Sequence, residues 1–456
     1  MAQPWQCIPK VESDQDFFCV EPVSEGDFMY EKTMLENGIR VVTETMPEVR
    51  SITMGALIEA SPQDEIPGQS GLAHFVEHAM FQGTTSRNAM QIARVMDAAG
   101  GQMGAFTTRD YTCFTASVLD DYRTYALDLF GDLLLNSIFP ADNLEREKEA
   151  ILREIEASRD VPDERAHSLL KRFVWADHPL GRPIAGRPAT VRKLTREDVI
   201  YFVHKHYLPN RLIIAAAGNV EHKDFVAQVG DFFWSMMGRS KPSTNGRPAY
   251  QAGVTTEHMA VSQVYFSLGI RTYPYTHPNR YAMHILNNLL GSGVSSRLFR
   301  RMRGERGRVF DIHSEYHAYR DDGLLVIEGS TAPEYLMGAL RTLFSELWGL
   351  FTAEEPVGEE ELWKAKMHIQ GQHLMASENA STRMSRLATQ ELYYGRFIPG
   401  EEILDQIEAI DTYALQRLAS ELLKDALGQI TIAVVGPDMP DYYNASSIEE
   451  MVSRFQ

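Results

Sequence analysis

Apolar and polar residues alternate on both sides of Asn37-Gly38 in YEKTMLENGIRVVTET. That pattern predicts a β-hairpin, because Asn-Gly takes up the positive φ angles of a tight turn. SITMGALIEAS, from Ser51, is more continuously apolar and reads as a further, more buried strand. The segment holding HFVEH and then NAMQIARVMDAAGG follow a helical period, the second closing on Gly100 and Gly101. QMGAFTTRDYTCFTASVL returns to alternation and DYRTYALDLFGDLLLN to helix, and several further helices lead to RLIIAAAGNV, a short buried strand.

Residues 1–27 show no sustained period and read as an N-terminal extension. Between 236 and 256 the composition shifts to MMGRSKPSTNGRPAYQAGVTT, rich in Gly, Pro, Ser and Thr, which marks an interdomain linker. Beyond it the order of elements repeats. QVYFSLGIRTY answers SITMGALIEAS, YAMHILNNLLGSG supplies a helix where HFVEH stood, and RVFDIHSEYHAYRDDGLLVIEGS is a second strand pair. The helix of APEYLMGALRTLFSELWGLF follows, and the halves end alike in LIIAAAGNV and ITIAVVGP. The expected fold class is therefore α+β. Two homologous domains, 28–235 and 257–456, each carry a mainly antiparallel sheet packed with helices, and a chain of 456 residues exceeds what one core usually holds.

Composition narrows the function classes. Acids outnumber bases 62 to 44, a formal charge of -18, which argues against a nucleic-acid partner because phosphate binding needs clustered Lys and Arg. Acids lining a chamber would instead favour basic peptides. Three cysteines (Cys7, Cys19, Cys113) without a CxxC pair exclude a disulfide framework or cysteine-rich zinc module and favour a reducing compartment. The start MAQPWQCIPKVESDQDFF has neither a basic region followed by an apolar run nor the Arg-rich character of a presequence, and no apolar run is long enough to span a membrane. A cytoplasmic protein with no membrane partner is the expectation.

HFVEH holds the candidate chemistry. On a helix His74 and His78 lie one turn apart on the same face and can aim their ring nitrogens at one ion. Glu77 lies beside them, about 60° from His74 and about 100° from His78 around the axis. It is placed to reach water at the ion rather than the ion itself. This is the HExxH zinc motif read in the opposite chain direction. A catalytic zinc needs three protein ligands and one open position. The other histidines are scattered, and the acid-rich helix NLEREKEAILREIEASRD is a better source of the third ligand. Its Leu144, Ile151 and Ile155 define a core face, while Glu147 and Glu154, seven apart, share another. Spacing alone does not choose among Glu145, Glu147, Glu149, Glu154 and Glu156, which also read as a solvated charge face interleaved with Lys148 and Arg153.

The run GQSGLAHFVEHAMFQGTTSR, followed 76 positions after His78 by Glu154 in EKEAILREIE, resembles the pitrilysin or insulinase type of zinc metallopeptidase, a group that includes mitochondrial processing peptidase and short bacterial homologues. The resemblance extends through ENGIRVVTET, GGQMGAFTTRDYT, HPLGRPIAG (His178 to Gly186) and LLGSGVSSRLFRRMRGERG. It implies the LuxS/MPP-like fold and one zinc per chain held by His74, His78 and Glu154, with Glu77 as general base and Glu147 as the acid behind the ligands. It also implies that an extended peptide adds as a strand along Gly104, Ala105, Phe106 and Thr107, so extended or unfolded peptides are the expected substrates.

Two positions depart from the family pattern. Gly104 stands where relatives usually carry Asn. In the second half, relatives place an Arg and, seven residues later, a Tyr on the bound peptide and the oxyanion, and here Arg303 is followed by Phe310. A phenyl ring donates no hydrogen bond, and loss of one oxyanion donor costs about 10²- to 10³-fold in rate. Tyr316 and Tyr319 are near but out of register. The resemblance thus implies a dimer, either a homodimer or a heterodimer in which a homologous partner subunit supplies the Arg/Tyr pair. A non-catalytic scaffold of the same fold is the rival reading, against which the intact His74, Glu77, His78 and Glu154 set argues.

Overall fold

In the computed structural model the described residues are 6–9, 17–20, 29–98, 100–241, 245–304, 309–426, 430–439 and 441–454. Most of the extension expected at 1–27, and residues 242–244 of the expected linker, lie outside them. Within the extension β1 (Gln6–Pro9) and β2 (Phe17–Val20) pair antiparallel, an element the sequence pattern did not announce.

Six strands build the first sheet: β3 (Met29–Met34), β4 (Arg40–Thr45), β5 (Ser51–Ile58), β6 (Gln102–Thr107), β7 (Thr112–Leu119) and β8 (Leu212–Gly218). They lie in the order β3-β4-β8-β5-β7-β6. Five build the second: β9 (Gly253–His258), β10 (Val264–Thr272), β11 (Asp311–Ala318), β12 (Gly323–Thr331) and β13 (Ile430–Gly436), in the order β11-β12-β10-β13-β9. With β3 set aside, the two connectivities are identical. Each has one parallel pair, β4 with β8 or β9 with β13, and then an antiparallel central strand, β5 or β10. Each ends in an antiparallel hairpin whose first strand, β6 or β11, is the free edge. The fold is α+β with two homologous halves. β9 begins at Gly253, inside the stretch read as linker, because GVTTEH has the polar composition of a loop while its backbone completes the second sheet.

One face of each sheet is covered by helices from its own half, giving two large cores around Phe75, Phe114, Phe130 and Ile214 and around Phe266, Leu286, Leu340 and Ile432. The opposite faces are covered by exchange. Helix Pro162–Val174, from the first half, lays Ala166, Leu169, Leu170 and Val174 on Leu324, Val326, Ala433 and Val435 of the second sheet. Helix Ala380–Tyr394, from the second half, lays Met384, Leu387 and Ala388 on Val42, Leu57, Ile213 and Ala215 of the first. Both crossings need a side chain missing from the central strand. A Cβ on Gly55 of β5 would stand 2.3 Å from Met384 Sδ, and one on Gly269 of β10 would stand 3.2 Å from Leu170.

Buried polar contacts fix these crossings. Arg383 pairs with Glu44, both nearly solvent-free, and Glu391 meets Lys32 at 2.7 Å and Arg40 at 3.7 Å. At the hairpin tips Asp110 accepts from Gln63 Nε2 (2.6 Å), the Tyr393 hydroxyl (2.6 Å) and the Arg320 N–H (3.1 Å), while Trp175 Nε1 donates to Asp322 (3.0 Å). The edge strand β6 is thereby anchored by groups from both halves.

Candidate metal centre

The HFVEH segment lies in helix Leu72–Met80, which begins on Gly71 in the left-handed region (φ 98°). A Cβ there would stand 2.8 Å from the Ala185 carbonyl oxygen and 2.9 Å from Gly186 Cα, so the helix start and the HPLGRPIAG segment meet backbone to backbone. With a glycine before it, the helix has no side chain of its own at the cap. Glu65 serves instead: its carboxyl accepts from the Ala73 N–H (2.9 Å) and the Gly71 N–H (3.1 and 3.2 Å). Burial pushes this carboxyl from 4.5 up to about 8, against the opposing pull of those N–H groups and of Arg182. Between these values the folded chain holds a proton that the unfolded chain has released, so stability falls as pH rises across the window. Glu65→Gln is expected to remove that slope, measured as the difference between urea midpoints on either side of the window.

His74 and Glu77 are buried and His78 is half-buried. Each offers a ligand atom, and the three atoms lie within 4.8 Å of one another, the one such grouping of His, Cys, Asp and Glu among the described residues. Glu154 comes from the acidic helix Ala141–Arg159, which packs beside the HFVEH helix. Its carboxylate stands 3.7 Å from His74 Nε2 and 3.9 Å from His78 Nε2. Glu147, two turns earlier, is 3.0 Å from His78 Nδ1 and accepts from Gln82 Nε2 at 2.9 Å. The structure thus brings together His74, Glu77, His78, Glu147 and Glu154.

The separations test whether a metal fits. At 3.7 and 3.9 Å neither imidazole hydrogen-bonds Glu154, so the three donor atoms ring a gap. N and O ligands about 2.0–2.1 Å from a tetrahedral zinc stand about 3.4 Å apart, a change that small side-chain rotations supply. Burial, with His78 adding to it, draws His74 down to about 4, which keeps the ring neutral and its lone pair free. Two nitrogens and one carboxylate are the donor set of a zinc site that keeps a coordination position open. A Glu147→Gln chain is expected to bind zinc about 10- to 100-fold more weakly, as read by chelator competition.

Glu77 is set apart from the other acids by Thr107, whose hydroxyl donates to Glu77 Oε2 at 2.5 Å. Burial raises the Glu77 carboxyl, Thr107 and His78 oppose this, and Glu154 adds to it. Sequence reasoning placed Thr107 among peptide contacts and did not link it to Glu77. It also missed Glu65 and Gln82. No sequence signal marked Gln82, which lies in the turn just beyond the helix that ends at Met80.

Gly104, Ala105, Phe106 and Thr107 all lie on β6, whose outer edge no strand of the described residues covers. Phe106 is partly exposed and meets Tyr111 edge-on at 6.2 Å. The two second-half candidates sit elsewhere: Arg303 lies over the Phe299 ring at 5.3 Å, and Phe310, 53% exposed, precedes β11 and donates its N–H to the Ser330 carbonyl. Tyr316 points its hydroxyl at the Tyr273 carbonyl (2.9 Å), consistent with an inward strand residue. No helix of the described residues is long and apolar enough to cross a membrane.

Comparison with known proteins bears on this constellation. The family described as Insulinase (Peptidase family M16) matches residues 40–187, and the Peptidase M16 inactive domain matches residues 193–368. A Bacillus subtilis protein named as an uncharacterized zinc protease is 31% identical over 409 residues, covering 90% of this chain and 98% of that protein. A Mycobacterium tuberculosis protein with the same description is 35% identical over 411 residues, covering 89% of this chain and 93% of that protein. Among solved structures, a protease from Helicobacter pylori superposes with a TM-score of 0.84 at 21% identity, covering 90% of this chain and all (100%) of that one. A peptidase M16 inactive domain from Pseudomonas fluorescens superposes at 0.80 and 20% identity, covering 90% and 98%. At those identities the structural matches speak for the fold.

Proposed function

This chain belongs to the insulinase (M16) family of zinc metallopeptidases, and from that premise we propose that it is an endopeptidase acting on extended or unfolded peptides, with Glu77 as general base. His74, His78 and Glu154 would hold the zinc. When bound, zinc supplies Lewis acidity at the scissile carbonyl and lowers the pKa of water there. The peptide lies as an added strand along β6, its backbone pairing with the free edge at Gly104 to Thr107, which selects for extended conformation over sequence. Glu77 takes a proton from the attacking water as the water oxygen bonds to the carbonyl carbon, and returns it to the amine nitrogen as the C–N bond breaks. Thr107 holds Glu77 Oε2 and leaves the other carboxylate oxygen to receive that proton.

The reading rests on one observation above the others: four acid and imidazole groups from two separate helices converge on one gap, beside an unpaired strand edge. Its test is incubation of the purified, zinc-loaded chain with an unstructured peptide. Internal cleavage seen by mass spectrometry supports it, and release of single terminal residues only, or no turnover with any added homologous subunit, sinks it.

Phe310 favours a second reading. Its exposed ring carries no hydroxyl where family members use Tyr, so residue 310 offers no side-chain donor to an oxyanion. The chain would then be the zinc-bearing member of a pair whose homologous partner supplies the Arg/Tyr set. Full activity of the isolated chain excludes it.

A further inference from the structure

Two basic side chains meet where the edge hairpins of the two halves converge, with Glu328 and Glu315 near Lys171 but turned to other partners. Lys171, on the last turn of helix Pro162–Val174, is only 6% exposed. Among the described residues its amine makes no hydrogen bond or ion pair, and it stands 5.8 Å from the Tyr319 ring. An acceptor that reaches this nearly buried amine gives its protonated form the hydrogen bonds it lacks. Arg109 faces it from the β6–β7 turn and spends Nη1 on the Leu180 and Arg182 carbonyls, again with no acid. The acids nearby are engaged. Glu328 holds His167 (3.1 Å) and Ser267 (2.5 Å) and faces His313 (3.7 Å), while Glu315 turns to His317 (3.4 Å). Burial first, and Arg109 next, draw the Lys171 amine down to about 7, and Lys171 is among the groups that depress His317. Rings close the sides: Trp175 meets Tyr319 edge-on at 5.5 Å, and His317 stacks on Tyr319 at 6.4 Å.

We propose that Lys171 and Arg109, walled by Tyr319 and His317, form a carboxylate-binding site at the end of the β6 edge, which takes the terminal carboxylate of a peptide lying along that strand. The placement follows from chain geometry. Arg109 is two residues beyond Thr107, at most about 7 Å along the backbone. A peptide paired parallel to β6 therefore carries its carboxyl end toward the two basic side chains within a few residues of Glu77. A carboxylate bridging Lys171 and Arg109 supplies the acceptor each lacks and offsets their mutual repulsion. The substrate class narrows to peptides with a free carboxyl end close to the bond cut. This rests on β6 being the substrate strand.

The test separates binding from hydrolysis. Two fluorescent peptides of one sequence, ending in a carboxylate or a carboxamide, are titrated into Glu77→Gln chains with and without Lys171→Met, a change that keeps the buried stem. The free acid is expected to bind about tenfold more tightly than the amide to the first chain, the scale of one charge-assisted contact, and equally to the second. Acetate is added in a thermal melt as a second arm. If acid and amide bind alike, the proposal is overturned, even where acetate stabilises the Lys171 chain and not the Met chain, because the bound carboxylate is then not a peptide terminus. If neither the acid preference nor the acetate effect depends on Lys171, the site is refuted. Because no arm requires turnover, and zinc content is measured alongside, failure here is distinguishable from failure of the peptidase reading.

Discussion

A Glu77→Gln chain is expected to keep its zinc and to lose peptide cleavage by about 10²- to 10⁴-fold, the contribution of a positioned general base. Glutamine preserves the shape of the side chain and still offers an oxygen to the Thr107 hydroxyl, so the 2.5 Å contact that orients residue 77 survives. What disappears is the ability to take a proton from water. The variant matters because the tight cluster within 4.8 Å is His74, Glu77 and His78, which by distance alone makes Glu77 as good a ligand as Glu154. Thr107 argues otherwise, since a carboxylate oxygen engaged by a 2.5 Å hydrogen bond has one oxygen left for a second task. Zinc content and cleavage rate measured on the same preparation decide. If zinc and activity fall together, residue 77 is a ligand and the base lies elsewhere.

What could be read from the sequence divides along a physical line. Strands and their repeat order were legible because alternation and buried apolar runs are local: the hairpin at Asn37-Gly38 and the matched endings at Gly218 and Gly436 are where the pattern puts them. His74 and His78 were legible because an i, i+4 pair on a helix fixes its own geometry. The exchanged helices were not. The apolar positions Ala166, Leu169, Leu170 and Val174 announce a buried face, and nothing in their spacing says that the face belongs to the sheet of the other half. Gly55 and Gly269 record the exchange, as small residues in otherwise bulky strands, but they acquire meaning only once Met384 and Leu170 arrive over them. Glu154 was one of five acids that spacing could not separate, since its distinction is a tertiary distance to two imidazoles. Glu65 was silent for a related reason: a cap reaching from outside the helix leaves no motif at the N-cap position, which here is Gly71. Lys171 belongs to no motif, and its burial follows from the same exchange.

Glu154→Ala is expected to be the reverse of Glu77→Gln, with zinc lost and the fold retained. Removing an anionic ligand takes away more than the about 10- to 100-fold in affinity that an outer partner contributes. The linkage gives the readout. Zinc at a free concentration of 100 Kd stabilises the wild-type chain by about 2.7 kcal/mol, and a ligand loss that weakens binding 100-fold leaves about 0.4 kcal/mol at the same concentration. The zinc-dependent rise in melting temperature should therefore nearly vanish in the variant, while the melting temperature of the metal-free chain stays unchanged. The second half of that expectation comes from the packing: the Glu154 side chain is 52% exposed, and the acidic helix is held by Leu144, Ile151, Leu152 and Ile155 in the first core. Retention of the full zinc shift after Glu154→Ala would mean that His74 and His78 find their third donor elsewhere. Glu77 and Glu147 would then be the acids to substitute next, being the remaining carboxylates beside the pair.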